Sequence, residues 1–334
     1  MNKKELLKAL QTVSPFLEDS NSSYIFTGTD VAVMDEISCI QYPFETDFKC
    51  TVKSKEFLHV LSKTDEEEVE LKLEDNQIIL ESKNTKLKMN VDKKIDIMVY
   101  ARIDQINSGT EDVEFEILPE NFNEGVNICS FSVSNLSSMK SCQYIYIDGN
   151  EIYSGDGDRC SKFTMNESMD KSFLLEPKIA RLLKKFDIIE YYITDSCIHF
   201  LNENNIIISV NCIKADYPKE TLNNLLNLKD GEEIPLEKSL INIVEVGSAM
   251  SDLGDGSRTV LISMDNQYIY CESKSELGTV TKKGKTSYKG RAIEFMVNPE
   301  FLIEAVKKTN VMHLNENSLT LKTDNFIHTV GLKI

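Results

Sequence analysis

No apolar run in this sequence approaches the roughly 20 residues that a membrane-spanning helix requires. The start, MNKKELLKAL, alternates charge and leucine. That is an amphipathic helix pattern, not the continuous apolar core of a signal peptide, so a soluble, cytoplasmic protein is expected. None of the eight cysteines (Cys39, Cys50, Cys129, Cys142, Cys160, Cys197, Cys212, Cys271) belongs to a C-x-x-C pair. Most sit among alternating apolar residues and read as reduced, half-buried strand cysteines. The four histidines, His59, His199, His313 and His328, are scattered without metal-ligand spacing. Three lie in strand-like segments and read as packing or surface residues. No metal and no other cofactor is expected.

Catalytic signatures are absent as well. No Ser/His/Asp or Cys/His grouping has a recognisable local form, so the chain does not read as an enzyme. Asp156 and Asp158, in GDGD, lack the other ligands of a calcium loop and read as a tight turn. Gly278–Thr286 (GTVTKKGKT) has five residues between its glycines where a phosphate-binding loop has four, and no helix follows. It reads as a strand-connecting loop carrying Lys282, Lys283 and Lys285. Positive charge is scarce overall: 37 Lys and Arg face 54 Asp and Glu, for a net −17. This excludes a uniformly basic protein that coats nucleic acid.

What is present is a repeat. The 334 residues allow two or three domains, and 41% hydrophobic residues can build globular cores. Three segments share one grammar. The first runs VKSKEFLHVLSK, EVELKL, QIILES, TKLKMNV from Val52. The second runs LLEPKIARLLKK, IEYYIT, CIHFL, IIISVNCI from Leu174. The third runs VNPEFLIEAVKK, VMHLN, SLTLKT, FIHTVGLKI from Val297. Each is an amphipathic helix followed by three short alternating strands. Ser54, Glu176 and Asn298 are equivalent, as are Phe57, Ile179 and Phe301 on the apolar face, then Leu61, Leu183 and Ala305. In the strands Leu80, Phe200 and Leu321 align.

The intervening segments repeat the pattern. Helices are expected at 2–13, 119–131 and 236–247, with Pro119 suited to a first helical turn. Strands follow around 24–27 and 31–37, at 144–147 and 151–154 across the turn Asp148-Gly149-Asn150, and at 259–263 and 268–272. The period-2 alternation implies antiparallel sheets with one covered face. The expected fold is therefore α+β: three domains, 1–112, 113–231 and 232–334, each of two helix-plus-strands units. Six helices in all would pack on one face of a continuous sheet surface.

The basic residues gather on those helices. Helix 2–13 has Lys3, Lys4 and Lys8 against Glu5, for +2. Helix 53–63 has Lys53, Lys55 and Lys63 against Glu56, for +2. Helix 177–186 has Lys178, Arg181, Lys184 and Lys185 with no acid, for +4. The six helices together carry +5, so the rest of the chain carries −22. This distribution fits a helix-lined surface that meets phosphate on a body that otherwise repels it.

With these elements in place, the chain resembles the bacterial-type DNA sliding clamp, the beta subunit of the replicative DNA polymerase III. FTGTDVAV resembles the family's T-x-T-D-L turn, VEFEILP its entry strand, SGDGDRC its A-T-D-G-H-R-L, and KADYPKETL its F-P-D-Y segment. Met264–Tyr270 and SKSELGTV resemble its third-domain sheet and E-x-G-x-A motif, and Asn298-Pro299-Glu300-Phe301-Leu302 its N-P-x-Y-L. The order and spacing of these motifs cover nearly the whole chain. The short stretch between Phe16 and Tyr24 departs from the family, where a strand looks trimmed. Abundant Lys, Asn and Ile point to an AT-rich genome, and both features suit a divergent, phage-encoded clamp.

The resemblance implies a processivity factor: a ring around duplex DNA that tethers a DNA polymerase, with a clamp loader as a further partner. Six units per chain, doubled in a head-to-tail homodimer, give twelve helices. At about 10 Å each, these enclose a circumference of about 120 Å and leave about 28 Å clear. Sequence-independent phosphate contacts would come from Lys3, Lys4, Lys8, Lys55, Lys63, Lys178, Arg181, Lys184 and Lys185. The resemblance places a partner-peptide pocket at Asp156, Gly157, Asp158, Arg159, Cys160, Ala215, Lys219, Asn298, Phe301, Gly331, Leu332 and Ile334. Phe301 would be an apolar wall and Asn298 a hydrogen-bonding group. Asp158 stands where the family has His and Cys160 where it has Leu, which implies a shallower, more acidic pocket. At the dimer interface Leu87 and Met89 match an edge strand of domain one, with Met250 and Leu253 on the opposing side. A second reading keeps the clamp fold but not the ring: an acidic regulatory protein that captures replication partners without encircling DNA. A carboxylate-dependent hydrolase has no support in the residues.

Overall fold

The computed structural model describes residues 1–17, 22–91, 93–108, 113–133, 139–213, 215–227, 231–251 and 258–332, with only the backbone of 93–95. The chain forms two compact units, 1–118 with 181–213, and 119–180 with 214–334. Among the described residues no helix is long and apolar enough to cross a membrane.

Unit 1 opens with α1 (Lys3–Val13). Asn2 caps it, its side-chain oxygen accepting from Lys4 N at 2.8 Å. Its buried residues Leu6, Ala9, Leu10 and Val13 form one helical stripe. α2 (Ser54–Lys63) buries Phe57 and Leu61 in the same way. An eight-stranded antiparallel sheet runs in the order Cys50–Lys53, Ser23–Phe26, Asp30–Met34, Ser38–Pro43, Ile207–Asn211, Cys197–Asn202, Ile188–Ile193, Glu116–Ile117. A three-stranded sheet holds Glu70–Glu74, Gln77–Glu81 and Lys86–Asn90.

The longest helix here, α3 (Lys93–Asn107), is one the sequence pattern did not mark. It covers the sheet face opposite α2. Phe26 meets Phe57 of α2 on one side. Its strand neighbour Ile25 joins Ala32, Cys39, Cys197, Ile103 and Ile106 on the other. The expectation of one covered face is thus corrected: the central strands are buried on both faces. Asp96 fastens α3, its buried carboxylate accepting from Thr51 N at 2.9 Å and Thr51 Oγ1 at 2.7 Å.

Unit 2 repeats the plan. α4 (Phe122–Cys129) leads in, and α5 (Pro177–Lys185) carries the chain onward across residue 180. α6 (Lys219–Leu226), also unexpected, precedes α7 (Ser239–Gly247) and α8 (Pro299–Val306). Its eight-stranded sheet runs Phe173–Leu175, Ile145–Asp148, Glu151–Gly155, Arg159–Thr164, Phe326–Gly331, Ser318–Lys322, Val311–Leu314, Glu232–Pro235. A four-stranded sheet runs Gly278–Lys285, Tyr268–Ser275, Val260–Met264, Ile293–Val297. The described residues therefore contain eight α-helices rather than six.

Two further expectations change. The stretch Gly278–Lys285 is an edge strand, not a connecting loop. Gly284 there lies so close to α7 that a Cβ would collide with Ile243 Cδ1. Of the eight free cysteines, seven are buried outright rather than half-buried, and Cys212 is partly exposed. The repeat itself is visible in the packing. Phe57, Ile179, Leu61, Leu183, Leu80 and Phe200 are fully buried or nearly so, as are Ala305 and Leu321. Phe301 alone among these equivalents stays half-buried, and the reason lies in the site.

Candidate functional site

The strands Glu151–Gly155 and Arg159–Thr164 of unit 2 meet in a tight turn. Asp156 Oδ1 accepts from Asp158 N and Arg159 N, each at 3.2 Å. Gly157 takes φ +98°, a conformation that side chains disfavour. The turn aims Arg159 inward. Its Nε donates to Asp156 Oδ2 at 3.0 Å. Its guanidinium carbon lies 3.8 Å from the Phe301 ring centre and 5.7 Å from that of Phe131. Burial draws the Arg159 pKa below its usual value, against the pull of Asp156. Phe301 is therefore the platform of a half-buried cation rather than a core residue like Phe57. The last strand is tied to the same turn, Gly331 N donating to Asp158 O at 2.7 Å.

A groove of about 640 Å³ opens beside this turn. The turn supplies Gly157, Asp158, Arg159 and Cys160, and α6 supplies Leu222 and Leu225. Asn315–Ser318 and Thr329 with Gly331 close the far side. Cys160 packs with Leu222, Leu226 and Tyr153 in one apolar cluster. Burial pushes its thiol up to about 12, so it is an apolar floor and not a nucleophile. Asp158 and Glu316 stand exposed at the rim.

α6 is held by charge. Lys219 Nζ donates to Asp148 Oδ2 at 2.8 Å and lies 2.9 Å from Glu151 Oε2. Tyr153 Oη donates to Glu151 Oε2 at 2.7 Å and lies 3.1 Å from Asn223 Oδ1. Lys219 is raised above its usual value: desolvation opposes this, but the bonds to Asp148 and Glu151 outweigh it. Asp148 is lowered by Lys219 first and by Ser172 second.

Of the residues expected in the pocket, Gly157, Asp158, Arg159, Cys160 and Gly331 line the groove. Asp156 and Phe301 stand behind it and hold Arg159. Asn298 caps α8, its Oδ1 accepting from Glu300 N at 2.9 Å. Lys219 points to Asp148 and positions the α6 wall without lining it. Ala215 is exposed and outside the lining, and Leu332 lines an adjoining hollow with Asn315 and Glu316. Ile334 lies outside the described residues. Sequence reasoning missed Leu222, Leu225, the Asn315–Ser318 loop and Thr329. KETLNNLL after Pro218, with apolar residues at spacings of three and four, is the signal that marks α6.

The basic helices are mostly open to solvent. Lys8, Lys55, Lys63, Arg181, Lys184 and Lys185 are exposed. Lys4 is exposed with Glu67 3.9 Å away. Lys3 is half-buried and donates to Thr64 O, and Lys178 is half-buried. Within unit 1, Lys8 of α1 and Lys185 at the end of α5 flank one hollow of about 420 Å³ with Gln11 and Asn204.

Leu87 and Met89 sit half-buried on Lys86–Asn90, the outermost strand of its sheet. Met250 is half-buried, its N–H on Ser273 Oγ at 3.0 Å. Leu253 is outside the described residues. Among the described residues no three His, Cys, Asp or Glu side chains cluster as metal ligands. Two histidines are fully enclosed. His199 Nδ1 is 2.8 Å from Ser209 Oγ, and His328 Nδ1 is 2.9 Å from Ser161 Oγ. Among the described residues, the Nε2 atom of each has no partner. Burial draws His199 down to about 4 and His328 to about 3.

No family model and no curated protein matches this sequence. Solved structures do match it in shape. The beta subunit of the DNA polymerase of Streptococcus pyogenes superposes with a TM-score of 0.81 at 18% identity, covering 100% of this chain and 98% of that one. The DNA polymerase sliding clamp of Bacillus subtilis gives 0.80 at 15% identity, with 100% and 98% covered. The Helicobacter pylori beta clamp bound to a DNA ligase peptide gives 0.74 at 15% identity, again with 100% and 98% covered. Over its whole length, this chain has the fold of the bacterial DNA polymerase III beta sliding clamps.

Proposed function

We propose that this protein is a DNA sliding clamp: a head-to-tail homodimeric ring of six clamp domains that encircles duplex DNA and tethers a replicative polymerase. The observation that carries this reading is the full-length clamp fold at TM-scores near 0.8. The charge pattern supports it. The exposed cations of α1, α2 and α5 suit loose contacts with phosphate, in a chain whose net charge is −17. Such contacts carry no sequence information and permit sliding. The groove beside Arg159 is the proposed seat for a peptide from the polymerase or the clamp loader. Its leucines and Cys160 would bury apolar side chains. A beta clamp of the same fold binds a DNA ligase peptide.

Retention on DNA tests the reading. The clamp, loaded on a nicked circular plasmid, is expected to stay bound through gel filtration in moderate salt and to leave once the plasmid is linearised. Equal release from circular and linear DNA would reject encirclement. It would favour the reading in which the fold only captures partners.

A further inference from the structure

Among the open strand edges of the described residues, the repeat assigns two to each other. Ser38–Pro43 pairs with Ile207–Asn211, and Arg159–Thr164 pairs with Phe326–Gly331. Each pairing joins the third strand of one repeat's first half to the last strand of another repeat's second half. The remaining strands of these two kinds are Gly278–Lys285 and Lys86–Asn90. Each is outermost in its sheet.

The register transfers as well. The strands that begin at Asp30, Glu151 and Tyr268 are equivalent, and their fifth residues, Met34, Gly155 and Glu272, face Cys39, Cys160 and Thr281. On the other edge Lys86, Ile207 and Ile327 are equivalent, facing Glu81, Leu201 and Lys322. Ile207 lies opposite Gln41 and Ile327 opposite Lys162, each two residues past the reference cysteine. By the same count Lys86 falls opposite Lys283, Leu87 opposite Lys282, Lys88 opposite Thr281 and Met89 opposite Val280. The exposure of the two strands is in phase with this register. Lys86, Lys88, Thr281 and Lys283 are exposed, whereas Leu87, Met89, Val280 and Lys282 are half-buried.

We propose that the joint between two copies, which the ring reading places at these edges, is like-charged, so that salt tightens it. This rests on the ring reading above and adds its electrostatics. Neither strand carries an acidic residue: one has Lys86 and Lys88, the other Lys282, Lys283 and Lys285. Like charges directly opposite one another oppose pairing, and edge lysines keep strands apart in general. Two carboxylates lie one strand back, one on each side: Glu81 offsets Lys86, and Glu272 is engaged within its own sheet. Glu81 accepts from Lys86 at 2.9 Å, and Glu272 from the Thr281 hydroxyl at 2.9 Å. Lys283 rests over Tyr268, its ammonium 3.4 Å from the ring centre, which steadies the charge without cancelling it. Main-chain hydrogen bonds and the Leu87, Met89 and Val280 side chains would close the joint against this repulsion.

Sedimentation velocity of the full chain tests the seam. Between about 20 mM and about 500 mM NaCl the dimer dissociation constant is expected to fall by about tenfold, since two seams are screened together. Lys283→Glu, an exposed change, places a carboxylate opposite Lys86 and is expected to tighten the dimer in low salt and reverse the trend. Leu87→Asp is expected to give monomer at both salts. A wild-type dimer that loosens with salt overturns the like-charged seam and leaves the ring standing. A dimer unchanged by Leu87→Asp overturns the seam's location. A monomer at both salts rejects the ring.

Discussion

The two eight-stranded sheets are built alike, yet one carries a sealed face and the other an open groove. The difference lies in the helix laid across each. In unit 1, α3 has 15 residues. It buries Ile103 and Ile106 over Ile25, Ala32 and Cys39, and its Tyr100 hydroxyl donates to Phe26 O at 3.0 Å. In unit 2, α6 has 8 residues. It reaches Tyr153 and Cys160 through Leu222 and Leu226, and then ends. Leu225 is left 44% exposed along the groove. A long helix makes the sheet face a core, and a short one leaves the equivalent face an open groove.

If that contrast is right, equivalent substitutions will fail differently. The largest effect is expected in unit 1. Ile103→Ala removes a buried side chain and should lower stability by about 2–4 kcal/mol in chemical denaturation. A loss under about 1 kcal/mol would show that α3 does not seal its sheet. Next comes Leu225→Asp in unit 2. It should leave the denaturation midpoint nearly unchanged but weaken binding of a polymerase-tail peptide by about tenfold. Phe301→Ala should weaken the same peptide, because Arg159 loses its platform. Full affinity in both variants would move the peptide site elsewhere.

The sequence made the repeated elements legible because their apolar residues keep strict helix or strand periods. Leu6, Ala9, Leu10 and Val13 mark α1 without ambiguity. Asn298-Pro299 marks the start of α8, and Asp156-Gly157 marks the turn of the site. The helix α3 was hidden because its apolar residues spread around the axis. Ile97 is 70% and Met98 75% exposed, while Ile103 and Ile106 are buried. The helix α6 was hidden by its brevity. Phe301 looked like Phe57, and only tertiary structure shows the difference, since Arg159 comes from a distant strand to lie on the ring. Lys219 matched a pocket position, but its partners Asp148 and Glu151 lie far back along the chain, where spacing cannot reveal them.

The smallest expected effect is the difference between the two buried histidines, one in each unit. Both are held neutral by burial, His199 at about 4 and His328 at about 3, against an ordinary 6.5. The sign follows from protons bound. Below pH 6.5 the unfolded chain takes up a proton that the folded chain refuses, so stability is full above 6.5 and falls as the pH drops. Each histidine contributes a slope of up to about 1.4 kcal/mol per pH unit. Between 6.5 and about 4 the two should act equally. His199→Asn and His328→Asn should each flatten the decline between pH 6.5 and 4.5 in thermal melts, by similar amounts. An unchanged slope in His328→Asn would mean that its enclosure among Ser161, Phe131 and Phe326 admits a charge at little cost.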